Sequence, residues 1–271
     1  MPLLFKAKTQ EGYTIKILAE LLQHNIKTAC FVLNKNGISL RMMDSQRFLL
    51  MDLNLQSDNF AIYKFKTEEM MIGINLNHLH KMLKSIKKKD SIVLFIKQDM
   101  TTDLGIKVLP KENNRITTSY IKIQNIQNMD IELPTGYLKP VIVPSNEYQK
   151  MCKDMNNISG TINVISKGFY IKFLCNAGSV YSREVAFGEI EDEEDEDEDE
   201  DEELMEEYNQ NFDTEQLSRI IKLSGLSNTM QVFPKEGLPL LFKSNVGSLG
   251  KLSIYIKSKS QIEEETLQEN I

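Results

Sequence analysis

Most of this 271-residue chain alternates apolar and polar residues with period two. The clearest stretches are FVLNKNGISLRMM (31–43), RFLLMDLNL (47–55), SIVLFIK (91–97) and KLSIYIK (251–257). Alternation of this kind marks strands with one buried face. Asn34-Lys35-Asn36-Gly37 predicts the turn of a hairpin between two of them. Four stretches break the rule and show helical period: 13–23, 76–88, 145–155 and 214–224. Ser145, with Tyr148 opening its apolar stripe, and Thr214 after Asp213 predict N-caps for the last two. The order strand, helix, several strands, helix recurs after the weakly periodic QNIQNMDIELPTGYLKP (124–140). The pattern therefore predicts an α+β fold of two similar domains, each with antiparallel sheets and two helices. Their bounds are 1–124 and 141–258, with a connector at 125–140 and an acidic tail at 259–271.

Charge changes the picture at one place. EDEEDEDEDEDEE (191–203) is thirteen acidic residues without a break, in an expected acidic loop over 189–203. It separates the strand patterns VYSREVAF (180–187) and LMEEYNQNF (204–212). Like charges at this density repel and cannot be buried, so the run predicts a solvated hairpin loop. The chain has 32 Lys+Arg against 39 Asp+Glu, a net of −7. Without the thirteen acids of the run, 26 acids face the 32 bases, a net of +6. The expected folded body is mildly basic.

The three cysteines, Cys30, Cys152 and Cys175, lie far apart in apolar patterns and predict buried reduced thiols. His78 and His80 stand two apart, so on a helix they cannot chelate together. No phosphate-binding glycine loop, nucleophile elbow or metal-binding His pair is present. Asp44-Ser45 reads as a turn. No catalytic residue, cofactor or metal is expected, nor a signal peptide or membrane span.

The helical stretches carry the informative charge. In 76–88, Leu76, Leu79, Met82, Leu83 and Ile86 form one stripe, and Lys81, Lys84, Lys87 and Lys88 a second one roughly 150° away. In 145–155, Lys150 and Lys153 lie opposite Tyr148, Met151, Cys152 and Met155. In 214–224, Arg219 and Lys222 lie opposite Leu217, Ile220 and Ile221. The stretch 13–23 is weaker, with Lys16 outside and Ile17, Glu20 and Gln23 diluting it. One basic helix face is ordinarily a solvated surface. Three of four, with few acids among them, suit a phosphate backbone bound by charge without sequence readout. The aromatics expected of a single-strand binder are absent from these faces, which favours duplex DNA.

GISLRMMDSQRFLLMDLNL (37–55), MMIGINLNHLHKMLKSI (70–86), PSNEYQKMCKDM (144–155) and GLPLLFKSNVGSLGKLSIYI (237–256) together resemble proliferating cell nuclear antigen, the eukaryotic-type DNA sliding clamp family. The resemblance implies the DNA clamp fold: two similar domains per subunit and three subunits in a closed ring, with helices lining the hole. It implies DNA contacts by Lys16, Lys81, Lys84, Lys150, Lys153 and Lys222, to which the basic helix faces add Lys88 and Arg219 as expected contacts. It implies a client-peptide pocket at Met43, Arg47, Leu50, Ile131, Leu133, Pro239 and Tyr255. Plain sheet core is the rival reading for Met43 and Leu50. The family's connector pattern is replaced here by Asp130-Ile131-Glu132-Leu133-Pro134, and its Ala-Pro after the last strand by Lys257-Ser258. RITTSYIKIQ (115–124) and GSVYSREVAF (178–187) are the expected interface strands, with Tyr120, Ile121, Val180 and Tyr181 at the contact.

The expected function is a homotrimeric clamp that encircles duplex DNA as a polymerase processivity factor. DNA polymerase, other client proteins and a clamp loader are its expected partners. The nucleus, or a viral replication site in the host cytoplasm, is its expected place. Two alternatives stand beside it: a subunit of a heterotrimeric checkpoint-type clamp, and an acidic chaperone of basic proteins.

Overall fold

The computed structural model describes residues 2–112, 115–126, 129–189 and 207–269. The acidic run 191–203 lies outside them. Contacts divide the chain into two compact units. The first comprises Met1–Glu132 with Gly225–Ser227 and Ser244–Ser253; the second comprises Leu133–Ser224, Asn228–Lys243 and Ile254–Ile271.

In the first unit the chain runs β1 (Leu3–Thr9), α1 (Gly12–Asn25), β2 (Thr28–Asn34), β3 (Gly37–Met43), β4 (Leu49–Gln56), β5 (Ile62–Phe65), β6 (Glu69–Asn75), α2 (Leu76–Leu83), β7 (Ser91–Lys97), β8 (Met100–Leu109) and β9 (Thr117–Lys122). One antiparallel sheet has the order β5-β1-β7-β8-β9, and a second contains β6-β2-β3-β4. Alternation along the strands turns Phe5, Leu33, Leu40, Leu53 and Ile72 into the core, beneath Leu18 and Leu22 of α1 and Leu79 of α2. The β2–β3 turn is the two-residue Lys35-Asn36, with Asn34 paired to Gly37. Gly37 has φ 147°, and a Cβ there would lie 1.9 Å from the Leu55 carbonyl oxygen. Only glycine fits this approach.

The second unit repeats the plan with β10 (Val141–Pro144), α3 (Ser145–Met155), β11 (Thr161–Lys167), β12 (Tyr170–Ala177), β13 (Tyr181–Gly188), β14 (Tyr208–Asp213), α4 (Thr214–Ser218), β15 (Thr229–Phe233), β16 (Leu240–Val246), β17 (Gly250–Ile256) and α5 (Lys259–Glu269). Its sheet β13-β12-β11-β14 and the run β10-β15-β16 are antiparallel. Tyr148 packs edge-on against Phe173 and Phe242, with ring centroids 6.0 and 5.6 Å away. The tip of the β16–β17 hairpin belongs with the first unit, where the Gln56 N–H donates to the Leu249 carbonyl at 3.0 Å.

Four local expectations need correction. Ser145 and Thr214 are the first helical residues and not the N-caps: Pro144 precedes α3 with no side-chain cap, and the Asp213 carboxylate caps α4 by accepting the Glu215 N–H at 2.8 Å. The helix expected over 76–88 ends at Leu83, and Lys87 to Lys89 lie in a turn where the Asp90 carboxylate accepts the Lys87 N–H at 2.9 Å. A short acid that binds nearby backbone competes with helix continuation. The helix expected over 214–224 is α4 followed by a tighter 3-10 turn, Ile221–Gly225. There the Ser224 hydroxyl donates to the Ile221 carbonyl at 3.0 Å. The expected tail forms α5, a fifth helix among the described residues. Ser258 and Gln261 cap its start reciprocally: the Gln261 Oε1 accepts the Ser258 N–H at 3.0 Å and the Ser258 Oγ accepts the Gln261 N–H at 3.3 Å.

Cys30, Cys152 and Cys175 are free and buried. Burial pushes the Cys152 thiol up to about 12. Asp44 is the turn former expected, its buried carboxylate accepting the N–H groups of Phe48 and Leu49 at 2.9 and 3.1 Å.

Candidate nucleic-acid interface

In the first unit, the Asn75 side chain caps α2 by accepting the His78 N–H at 3.1 Å. Leu76, Leu79 and Leu83 anchor the buried stripe and leave Lys81 and Lys84 in solvent. Lys87, Lys88 and Lys89 follow in the exposed turn. Five exposed lysines thus fall within nine residues, with no ion pair to any of them among the described residues. Lys16 does something else. Its Nζ donates to the carbonyls of Lys84 at 2.8 Å and Ile86 at 3.3 Å, across the end of α2. Ile17, which was expected to dilute a basic face, is core at 8% exposure. Desolvation holds the half-buried His80 imidazole below its usual value, with His24, Lys16 and Lys84 acting the same way and Glu20 opposing. His80 is therefore neutral at pH 7 and adds no charge.

In the second unit some of the bases are partnered. Lys150 and Lys153 are exposed on α3, and Lys150 pairs with Glu147 at 2.7 Å. Arg219 pairs with Glu215 at 2.9 Å, and Lys222 lies half-buried in the 3-10 turn. Asp154 of α3 pairs with Arg183 at 2.6 Å. The expectation of few acids among these helices fails here, because Glu147, Asp154 and Glu215 sit on the same surfaces. Exposed pairs of this kind are worth about 0–1 kcal/mol and exchange readily for other anions.

The residues read as a client pocket divide between the units. In the first, Leu50 is buried, Met43 and Ile131 are half-buried, and Arg47 is exposed at a φ of 61°. The Ile131 carbonyl accepts from Arg41 at 3.1 Å. In the second, Leu133 and Pro239 are half-buried and Tyr255 is buried. Tyr137, which the sequence reading passed over, joins Pro239 and Tyr255 of this group. Its hydroxyl donates to the Pro239 carbonyl at 2.7 Å, and its ring lies 6.2 Å from Phe233 and 6.1 Å from Tyr255. An aromatic two residues before Lys139-Pro140 was its only visible signal.

The strands read as subunit contacts are sheet edges, β9 in the first unit and β13 in the second. Tyr120, Val180 and Tyr181 are exposed, and Ile121 is buried at 5%. The Ile123 N–H donates to the Thr102 carbonyl at 2.8 Å, and antiparallel pairs alternate between bonded and unbonded. With Asp103 opposite Lys122, the backbone of Thr118, Tyr120 and Lys122 therefore turns away from β8. Gln124, next in that series, exchanges both its bonds with Gly73, at 2.8 and 3.1 Å. On β13 the Glu189 N–H donates to Phe169 at 3.3 Å, and Gly188 lies opposite Tyr170. By the same alternation Ser182, Glu184 and Ala186 turn outward, and Tyr181 bonds inward to its own hairpin.

Among the described residues, no three His, Cys, Asp or Glu side chains converge as a metal site, and no helix is long and apolar enough to cross a membrane. The family model for the N-terminal domain of proliferating cell nuclear antigen matches residues 4–133, and that for its C-terminal domain matches residues 134–259. The chain is 26% identical over 258 residues to a "Probable DNA polymerase sliding clamp 1" of Paramecium bursaria Chlorella virus 1, covering 93% of this chain and 96% of that one. It is 24% identical over 257 residues to "Proliferating cell nuclear antigen" of Chaetomium thermophilum, covering 94% and 98%.

Proposed function

The chain belongs to the proliferating cell nuclear antigen family and is a DNA sliding clamp, and from that premise we propose that three copies close into a ring around duplex DNA. Its work is binding, and it serves a DNA polymerase as a tether at a nuclear or viral replication site. The observation that carries this reading is the set of exposed lysines on the helices of each unit: Lys81 and Lys84 on one side of the repeat, Lys150 and Lys153 on the other. A topological link needs no tight grip. Lysines that meet phosphates and read no base edge let the duplex slide, because each contact exchanges freely with counterions. The outward backbone of β9 and β13 supports closure by head-to-tail strand addition, which leaves neither edge open. Leu133, Pro239 and Tyr255, with Tyr137 beside them, offer the apolar and aromatic anchorage that a client peptide needs.

The test reverses Lys81, Lys84, Lys150 and Lys153 to Glu. The sites are exposed, so fold and assembly persist. Polymerase stimulation is lost, and the salt dependence of binding to linear duplex weakens by about one unit per phosphate contact removed. An unchanged slope would mean that these lysines do not meet DNA.

A further inference from the structure

We propose that the turn after α2, residues 85–90, is a separate phosphate-binding element, and that Lys16 acts by positioning it. The inference rests on the reading of the chain as a clamp on duplex DNA, and it places Lys87 and Lys88, with Lys89, on a shaped turn instead of the helical stripe expected of the first two. Lys87, Lys88 and Lys89 do not continue the basic stripe of α2, because the helix has ended at Leu83. They stand in solvent on a turn that is fixed from beneath.

Four contacts within the first unit fix it. Ile86 is buried at 2% exposure and pins the middle of the turn. The Lys16 ammonium holds the carbonyls of Lys84 and Ile86, which satisfies acceptors left open at the end of a helix. Asp90 is buried, its carboxylate bound to the Lys87 N–H and its own N–H donating to the Lys87 carbonyl at 3.1 Å. Gly12 admits the Asp90 carbonyl, since a Cβ at Gly12 would lie 2.6 Å from that oxygen. The turn is thus pre-shaped, and ordering it on a ligand costs little.

Charge completes the argument. The Nζ atoms of Lys16 and Lys88 lie 5.5 and 6.0 Å from the same Tyr13 ring centroid. Both ammonium groups are within reach of the ring's π-system, which helps to hold Lys88 at this place. The nearby acid, Asp90, faces inward to the backbone. An anion from outside would meet Lys87, Lys88 and Lys89, all exposed and with no ion pair among the described residues. Lysines act as point charges on phosphate and read no sequence, which suits a sliding contact. Lys16 has committed two donors to backbone carbonyls, so its part is to hold Lys87, Lys88 and Lys89 in place.

The experiment measures binding of a labelled linear DNA duplex to the full-length protein by fluorescence anisotropy, across about 50 to 200 mM salt. Five proteins are compared: wild type, K81Q/K84Q, K87Q/K88Q/K89Q, K16M, and K16M combined with the turn triple. Thermal melts check that each is folded. We expect the turn triple to reduce the salt slope by about two to three units, as the helix pair reduces it by up to about two. We expect K16M to lower the slope in the wild-type background and to add nothing in the triple background. If the helix pair lowers the slope and the turn triple does not, the turn proposal fails while the clamp reading stands. If neither does, the reading of these lysines as DNA contacts fails as well. A K16M effect equal in both backgrounds would make Lys16 a phosphate contact and remove its positioning role. G12A, which changes no charge but displaces the Asp90 carbonyl, serves as the second positioning variant and is expected to follow K16M.

Discussion

Replacing Tyr120 by proline tests ring closure at a single backbone atom. On β9 only Thr118, Tyr120 and Lys122 turn their N–H and C=O groups outward, before Gln124 engages Gly73. Tyr120 is the middle of the three. Proline there removes no hydrogen bond within the subunit, but it removes the central donor of the open edge and puts a ring where a neighbouring strand must approach. A lost hydrogen bond that leaves its buried acceptor unmatched costs about 1–3 kcal/mol. Taking about 2 kcal/mol per contact, a closed trimer with three such contacts loses about 6 kcal/mol, or about 10⁴-fold in its association constant. Light scattering after gel filtration, over a concentration series, should find monomers in place of the proposed trimer. Two controls separate causes. Tyr120→Ala removes the ring that packs edge-on to Phe95 at 6.0 Å but keeps the N–H, and should remain trimeric. Ile121→Pro removes a bond to β8 and a buried side chain's setting, and should lower the melting temperature. Trimers of Tyr120→Pro with wild-type concentration dependence would refute closure through β9. The counterpart on β13 is Ser182 or Glu184. Tyr181, whose N–H points into its own hairpin, should affect that hairpin first.

Leu133→Glu or Pro239→Glu should abolish binding of a peptide with apolar and aromatic anchors while leaving DNA binding intact; calorimetric titration showing wild-type affinity would move the client site elsewhere. Replacing 191–203 with a short Gly-Ser linker should raise non-specific DNA binding at low salt, because thirteen negative charges no longer oppose the duplex within a Debye length of about 10 Å; mobility shifts unchanged at low salt would exclude this electrostatic role. The Asp103 carboxyl is held below the usual carboxylate range by the hydrogen bond from Lys122 at 2.9 Å, with Thr102 assisting and desolvation opposing. A depressed acid contributes stability that is present above its ordinary value and lost as pH falls through its folded value. Asp103→Asn should therefore lower the melting temperature at pH 7, and the difference should vanish well below about pH 4; an equal deficit at pH 3 would assign the effect to packing.

Periodicity carried the sequence reading furthest where one helix or strand answers to one buried face. α3 occupies the expected span 145–155, because Ser145, Tyr148, Met151, Cys152 and Met155 all have a core to enter. It failed where a side chain from far along the chain decides the local shape. The end of α2 depends on Lys16, 68 residues away from Lys84, and no window over 76–88 contains that information. The basic faces of α3 and α4 looked poor in acids because their partners lie three or four residues off, where a stripe drawn only through lysines and arginine does not look. Helix α5 was legible in principle. Ser258-Lys259-Ser260-Gln261 is a reciprocal capping pattern, obscured by attention to the acids at 263–265. Tyr137 had no periodic context, and only the fold brings it to Pro239 and Tyr255.

The tip of the last hairpin has a consequence for how the polypeptide is made. Glu11 reaches across 237 positions to accept the Ser248 N–H at 3.1 Å, and Gln56 gives its N–H to Leu249. Gly247, at a φ of 53°, bends the hairpin where the Glu11 side chain sits. The first unit is therefore not a first product. A ribosome releases chain from the N-terminus at about 5–20 residues per second, so residues 1–132 emerge well before the segment that completes their fold. Through that interval the Gln56 donor has only water to satisfy it, and the Glu11 carboxylate has water and the Thr14 hydroxyl, which donates to it at 2.9 Å. Contacts this distant in sequence close late and slowly. A fragment ending at the unit boundary should accordingly behave as an unfinished domain, and a chaperone that holds it until residue 253 has emerged would set the yield of the whole clamp.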